Sequence, residues 1–220
     1  MKKLLTIVLC AALAVLAGCT GKDAVVDYQK LEERDKLTHF KGKPFTGVAV
    51  GKYPNGQKNS EATFKEGEQH GLETTWYSNG QKEYEAIFED GKKDGLKTVW
   101  RKNGQKKEEA TYKDGKLMTA VGLKPNGEKC PDTNLVNGNG IVCYYHKNGQ
   151  KAAERTYKDG KLWTAVAWKP NGEKCPGTNV VDGNGVVVEY DEDGNGVSVA
   201  YNEDGTERSF TYKDGERVRD

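Results

Sequence analysis

A chain reversal marked by glycine about every eleven residues is the feature that most limits what this 220-residue chain can fold into. A series of Asn-Gly, Asp-Gly and Glu-Gly dipeptides, marked at the glycine, runs through Gly56, Gly67, Gly80, Gly91, Gly104, Gly115, Gly127, Gly138, Gly149, Gly160, Gly172, Gly183, Gly194, Gly205 and Gly215 with gaps of 10 to 13 residues. Asn-Gly and Asp-Gly between alternating segments predict type I′ hairpin turns, because both central residues then need φ > 0. The step leaves room for one strand of about 5–6 residues and its turn. A chain that turns this often has no room for helices of ordinary length.

Longer repeats sit on this period. Blocks that open at Gly47, Gly71 and Gly95 align without a gap at a spacing of 24 residues, across about 47–118. Each carries Asn-Gly-Gln-Lys, at Asn55, Asn79 and Asn103, and then Glu-Ala followed by an aromatic residue at Phe64, Phe88 or Tyr112. A second unit returns at a spacing of 45, across about 103–213: Lys124-Pro125-Asn126-Gly127-Glu128-Lys129-Cys130-Pro131 recurs as Lys169-Pro170-Asn171-Gly172-Glu173-Lys174-Cys175-Pro176. Identity this close implies duplication within the chain. The predicted fold class is all-β, an extended antiparallel meander of repeated hairpins with both faces partly solvated. Aromatics stacked in ladders across neighbouring strands are expected to support it. A first, irregular hairpin is expected over residues 26–43, turning near Asp35-Lys36, with a short helix over residues 30–37 as the alternative.

Composition agrees with a thin sheet. Hydrophobic residues make up 35% of the chain and charged residues 30%, so apolar side chains are too sparse for a deep core. Yet 11 Tyr, 4 Trp and 5 Phe recur at regular positions, which disordered segments rarely show. Opposite charges nearly cancel, so nothing in the balance supports nucleic-acid binding.

The N-terminus reads as an export signal. Lys2 and Lys3 precede an almost wholly apolar run at residues 4–16, too short to span a bilayer, which needs about 20 residues. Leu16-Ala17-Gly18-Cys19 follows and resembles the bacterial lipobox. That resemblance implies a signal peptide at residues 1–18 and acyl chains on Cys19, which becomes the first mature residue. Membrane lipid is then a partner through Cys19, since several chains anchor stably where one binds marginally. The implied location is the cell envelope, and the outer membrane in a Gram-negative organism, because Thr20 rather than Asp follows the cysteine. Residues 19–25 form a tether and 26–220 the repeat domain.

The repeat itself resembles a known family. Tyr77-Ser78-Asn79-Gly80-Gln81-Lys82 with Tyr112-Lys113-Asp114-Gly115-Lys116, and the lead-in Lys43-Pro44-Phe45-Thr46-Gly47, are similar to the MORN repeat variant found in proteins labelled YwqK-family antitoxins. The resemblance covers about residues 31–220 and implies hairpins in an extended sheet. Its label implies an antitoxin or immunity role, with a toxin as the protein partner.

Candidate chemistry is sparse. Asp191, Asp193 and Asn195 match the first ligands of a calcium loop, but Asn202 stands where a bidentate Glu belongs, so a hairpin turn is the default. Cys130 and Cys143 flank the turn near Gly138, so a disulfide across a hairpin is open to them; the copy argues against its being essential, since Cys175 matches Cys130 but Val188 matches Cys143. Cys-x-x-Cys and close Cys/His spacings are absent, so no metal site is expected. His39, His70 and His146 occupy unrelated positions. No catalytic or cofactor motif is present. The reading is a non-enzymatic protein-interaction surface, without cofactor, held at a membrane; an antitoxin is the alternative, and an enzyme acting on cell-wall glycans the third.

Overall fold

The computed structural model describes residues 24–182, 185–190, 196–201, 207–213 and 216–218. The export signal, Cys19 and the calcium-like Asp191, Asp193 and Asn195 lie outside the described residues. The strands are β1 (Ala24–Asp27), β2 (Glu32–Arg34), β3 (Leu37–Phe40), β4 (Lys43–Pro44), β5 (Gly47–Lys52), β6 (Lys58–Lys65), β7 (Glu68–Trp76), β8 (Lys82–Glu89) and β9 (Lys92–Trp100). They continue as β10 (Lys106–Lys113), β11 (Lys116–Gly122), β12 (Gly140–Tyr145), β13 (Lys151–Lys158), β14 (Lys161–Ala167), β15 (Gly185–Tyr190), β16 (Gly196–Tyr201), β17 (Glu207–Lys213) and β18 (Glu216–Val218). One 3-10 turn, Tyr28–Lys30, is the single helical piece among the described residues.

β5 to β11 form an antiparallel meander in chain order, with β1 added in parallel beside β5. Ala24 and Val25, expected in the tether, therefore belong to the sheet. β2, β3 and β4 make a small sheet whose first turn falls at Asp35-Lys36, both at positive φ; residues 32–34 are strand rather than helix. β12 to β14 and β15 to β18 form two further antiparallel sheets.

Two turn classes alternate, where the sequence predicts one. At Glu66-Gly67, Asp90-Gly91, Asp114-Gly115, Asn137-Gly138 and Asp159-Gly160 both residues have positive φ, the type I′ signature. At the Asn-Gly turns of Gly56, Gly80, Gly104, Gly127, Gly149 and Gly172 only the glycine does. There the Gly56 N–H donates to Tyr53 O, and the Tyr53 N–H to Gln57 O, both at 2.8 Å: a type I turn closed by a bulge. The Asn55 side chain accepts from the Gln57 N–H, an Asx bond that holds φ negative at the asparagine. The register shift between Gly51 and Lys52 is the consequence.

Register fixes the two faces. Ala49, Ala62, Glu73, Ala86, Lys97, Ala110 and Ala120 pair in one row across β5 to β11, and the five alanines are buried. Val50, Glu61, Thr74, Glu85, Thr98, Glu109 and Val121 make a row on the opposite face. There Lys58, Lys82 and Lys106 of the Asn-Gly-Gln-Lys motifs pair with Glu61, Glu85 and Glu109. Among the described residues, ring pairs join Tyr28, Phe40, Phe45 and Phe64 near the start rather than forming a ladder along the repeats. Lysines lie over the repeat rings instead: Lys58 over Trp76 at 5.0 Å and Lys82 over Trp100 at 5.7 Å.

The insertion that opens at Leu123 ends the main sheet, and the next sheet folds back over the alanine face. Leu117, Ala110 and Ala120 pack with Leu135, Val142, Tyr144, Ala153 and Ala167 in one cluster. Each buried Leu or Val there contributes about 1.5–3 kcal/mol. A chain of turns runs on unbroken beside it. The glycine N–H of each two-residue turn donates to a carbonyl of the preceding unit: Gly67 to Phe45, Gly91 to Gln69, Gly115 to Lys93, Gly138 to Met118 and Gly160 to Gly138, at 2.8–2.9 Å.

Candidate functional site

The fold-back leaves an open groove of about 590 Å³ between the alanine face and the second sheet. Its floor is Lys97, Val99 and Glu108 from β9 and β10, and one wall is Tyr144, Ala153 and Arg155 from β12 and β13. Tyr53 and Tyr77 close one end.

These positions are set by the repeat. At four of the Asn-Gly turns the residue two before the asparagine sends its side chain to a backbone carbonyl about one repeat later. The Tyr53 hydroxyl donates to Trp76 O at 2.6 Å and the Tyr77 hydroxyl to Trp100 O at 2.9 Å. Arg101 takes the same position, buried, and its Nη2 donates to both Leu123 O and Tyr145 O at 3.1 Å. It thereby ties the main sheet to the next one. His146 repeats the role against Trp168 O at 2.7 Å. The position is therefore one recurring site, which sequence reading missed because Tyr, Arg and His share no chemistry except a long polar tip. His39 meets Leu37 O and His70 lies beside Asp90, both away from the groove.

The groove is basic although the chain is near neutral. Lys97, Arg101, Lys102, Lys107, Lys147 and Arg155 line it against two acids, Glu83 and Glu108. Lys97 and Glu108 form an ion pair at 3.1 Å with both ends largely buried. Arg155 lies over the Tyr144 ring at 5.0 Å. Burial pushes the Tyr144 hydroxyl well above the usual phenol range, with the Glu108 charge acting in the same sense, so it stays a neutral hydrogen-bonding group. Arginines, lysines and neutral tyrosines around this floor can hold a carboxylate-bearing extended segment.

A second cluster lies behind the groove wall. Cys130 and Cys143 are both buried, both are free thiols, and with Asp132 their ligand atoms lie within 4.8 Å of one another. The cysteines meet, though not across the expected hairpin. β11 and β12 belong to different sheets, and Cys130 sits in the loop that returns to Gly122, where its N–H donates to Gly122 O. The Tyr145 hydroxyl lies 3.1 Å from Cys130 Sγ. Burial opposes ionisation of Cys130, yet hydrogen bonds from Tyr145, the Asp132 N–H, Thr133 and Cys143 hold it below the usual thiol range. Burial first, and the Cys130 contact second, push Cys143 up to about 12. The absence of Cys-x-x-Cys spacing predicted no metal-ligand set, and nothing in the sequence placed Asp132 beside the two thiols; the loop brings the donors together across 13 residues.

The MORN repeat variant family matches residues 45–66, 69–90, 93–114 and 139–159. Each match runs from the start of one hairpin to the type I′ turn that ends it. No curated protein matches the chain.

Proposed function

We propose, from the premise that this chain is built of MORN-variant repeats, that it is a non-enzymatic protein-interaction module of the bacterial cell envelope. An acylated Cys19 anchors it to membrane lipid, in the outer membrane of a Gram-negative cell, and the groove receives an acidic segment of a protein partner. MORN repeats support the interaction role. The observation that carries the reading is the groove's charge: six basic residues and four tyrosines (Tyr53, Tyr77, Tyr144 and Tyr145) gathered in a chain of balanced charge. Unlike charges across an interface speed encounter and reject wrong partners. The antitoxin role rests on a family label alone.

The experiment is affinity capture from solubilised envelopes with the full-length chain and with Lys102→Glu/Lys147→Glu. Both lysines are exposed at the groove rim, so the exchange leaves folding intact. Recovery of a partner by the wild type that falls at least tenfold in the variant supports the reading. Equal recovery by both, or none by either, contradicts it. Loss of radiolabelled palmitate in Cys19→Ala tests the anchor.

A further inference from the structure

We propose that Cys130, Asp132 and Cys143 form a binding site for a thiophilic divalent cation of the zinc class. Two sulfurs and a carboxylate are a donor set that suits such an ion. Their ligand atoms already lie within 4.8 Å of one another. Donors sharing a tetrahedral zinc stand roughly 3.5–4 Å apart, given bonds of about 2.0–2.3 Å. Side-chain rotation covers the difference. The two cysteines are buried while Asp132 is exposed, so the site opens to solvent on the carboxylate side.

The surrounding groups hold the donors in place. The Tyr145 hydroxyl lies against Cys130 Sγ, and Thr133 Oγ1 accepts from the Cys143 N–H at 3.1 Å. Lys151 reaches Asp132 at 3.4 Å and Glu154 at 2.9 Å, and Glu154 Oε2 lies 4.0 Å from Cys143 Sγ. Such outer partners orient ligands at metal sites. Three protein donors leave a fourth position for water or Glu154.

The duplicated unit is an internal control. At a spacing of 45 residues, Cys130 becomes Cys175, but Asp132 becomes Gly177 and Cys143 becomes Val188. Lys151 and Glu154 become Gly196 and Val199. The loop nevertheless folds the same way in both copies. Thr133 N–H donates to Cys130 O, and Thr178 N–H to Cys175 O, both at 3.3 Å. Asn134 Oδ1 accepts from the Ile141 N–H, and Asn179 Oδ1 from the Val186 N–H, both at 2.8 Å. Asp132 and Cys143 are therefore not needed to build the loop, and where they are absent Lys151 and Glu154 are absent too, while Thr133 and Tyr145 keep their copies Thr178 and Tyr190. A covalent staple would use only the two sulfurs and would leave Asp132 without a part.

The test titrates the reduced full-length chain, in detergent, with zinc alone, and reads stoichiometry and affinity; cobalt(II) reports thiolate ligation by its charge-transfer absorption. Wild type is expected to bind one ion. Asp132→Gly/Cys143→Val, whose replacements the second copy already carries, should fold and lose more than about 100-fold in affinity, beyond the 10–100-fold of outer-shell losses. Gly177→Asp/Val188→Cys should install a second ion. A Cβ on Gly177 would meet Val188 Cγ2 at 2.9 Å, and the cysteine relieves that contact. No binding by the reduced wild type, or unchanged binding by the first variant, overturns the proposal. So does a Cys130–Cys143 disulfide, two hydrogens lighter by mass, in chain isolated without added oxidant.

Discussion

Glycine supplies a positive φ in both turn classes. Gly91 sits at φ +73° with open space where a side chain would go, so its need is conformational alone. Gly91→Ala should cost about 1–2 kcal/mol, the penalty of a left-handed alanine, read as a lower denaturation midpoint with an unchanged slope. Glu73 is another residue whose setting makes it testable. It lies in the alanine row, where burial raises its carboxyl above the ordinary range while Gln69 and Lys93 pull the other way. A raised folded value means the charged form is disfavoured by folding, so its contribution is full below the unfolded value and is lost as pH rises through the folded one. Glu73→Gln should therefore raise Tm at neutral pH, and the gain should vanish as pH falls below the carboxylate range. A gain that persists in acid would contradict this.

At the scale of the element, each repeat is stitched twice: by the turn glycine on one edge and by a side chain on the other. The Tyr77 hydroxyl bond to Trp100 O is one such stitch, and Tyr77→Phe should cost about 1 kcal/mol by thermal or chemical unfolding. The Lys97–Glu108 pair is the costlier element to break, because it bridges β9 and β10 largely out of water. Glu108→Ala should destabilise by about 3 kcal/mol, and adding Lys97→Met should restore part of that. Strand positions and turn glycines were legible in the sequence because backbone φ is a local demand, met by Gly67 or Gly91 wherever they stand. The turn type at Asn55-Gly56 was not, because it depends on the Asx bond to Gln57. Aromatic ladders were expected and lysines over rings were found; alternation alone cannot tell which neighbour covers Trp76 or Trp100.

Over the whole molecule, the decisive event is the break between β11 and β12. A uniform repeat would continue as one sheet, but the insertion between Leu123 and Asn139 turns the second sheet over the first. Arg101 then reaches Tyr145, 44 residues on. That long contact makes the groove, and no period in the sequence announces it. The meeting of Cys130 and Cys143 was legible, but its setting and the place of Asp132 beside them were not, since the donors belong to a loop and to a strand that meet only after the turn-over. The balance of Lys and Glu read as a solvated surface, and on the Glu61, Glu85 and Glu109 face it is one. On the opposite face the sign separates, and the groove becomes positive.

The most direct measurement places a photo-crosslinking amino acid at Lys147, on the groove rim, and in a second chain at Leu72, exposed on the opposite face, in intact cells. The account predicts a discrete protein adduct from position 147 and none from position 72. An adduct only from position 72, or none from either, would contradict it.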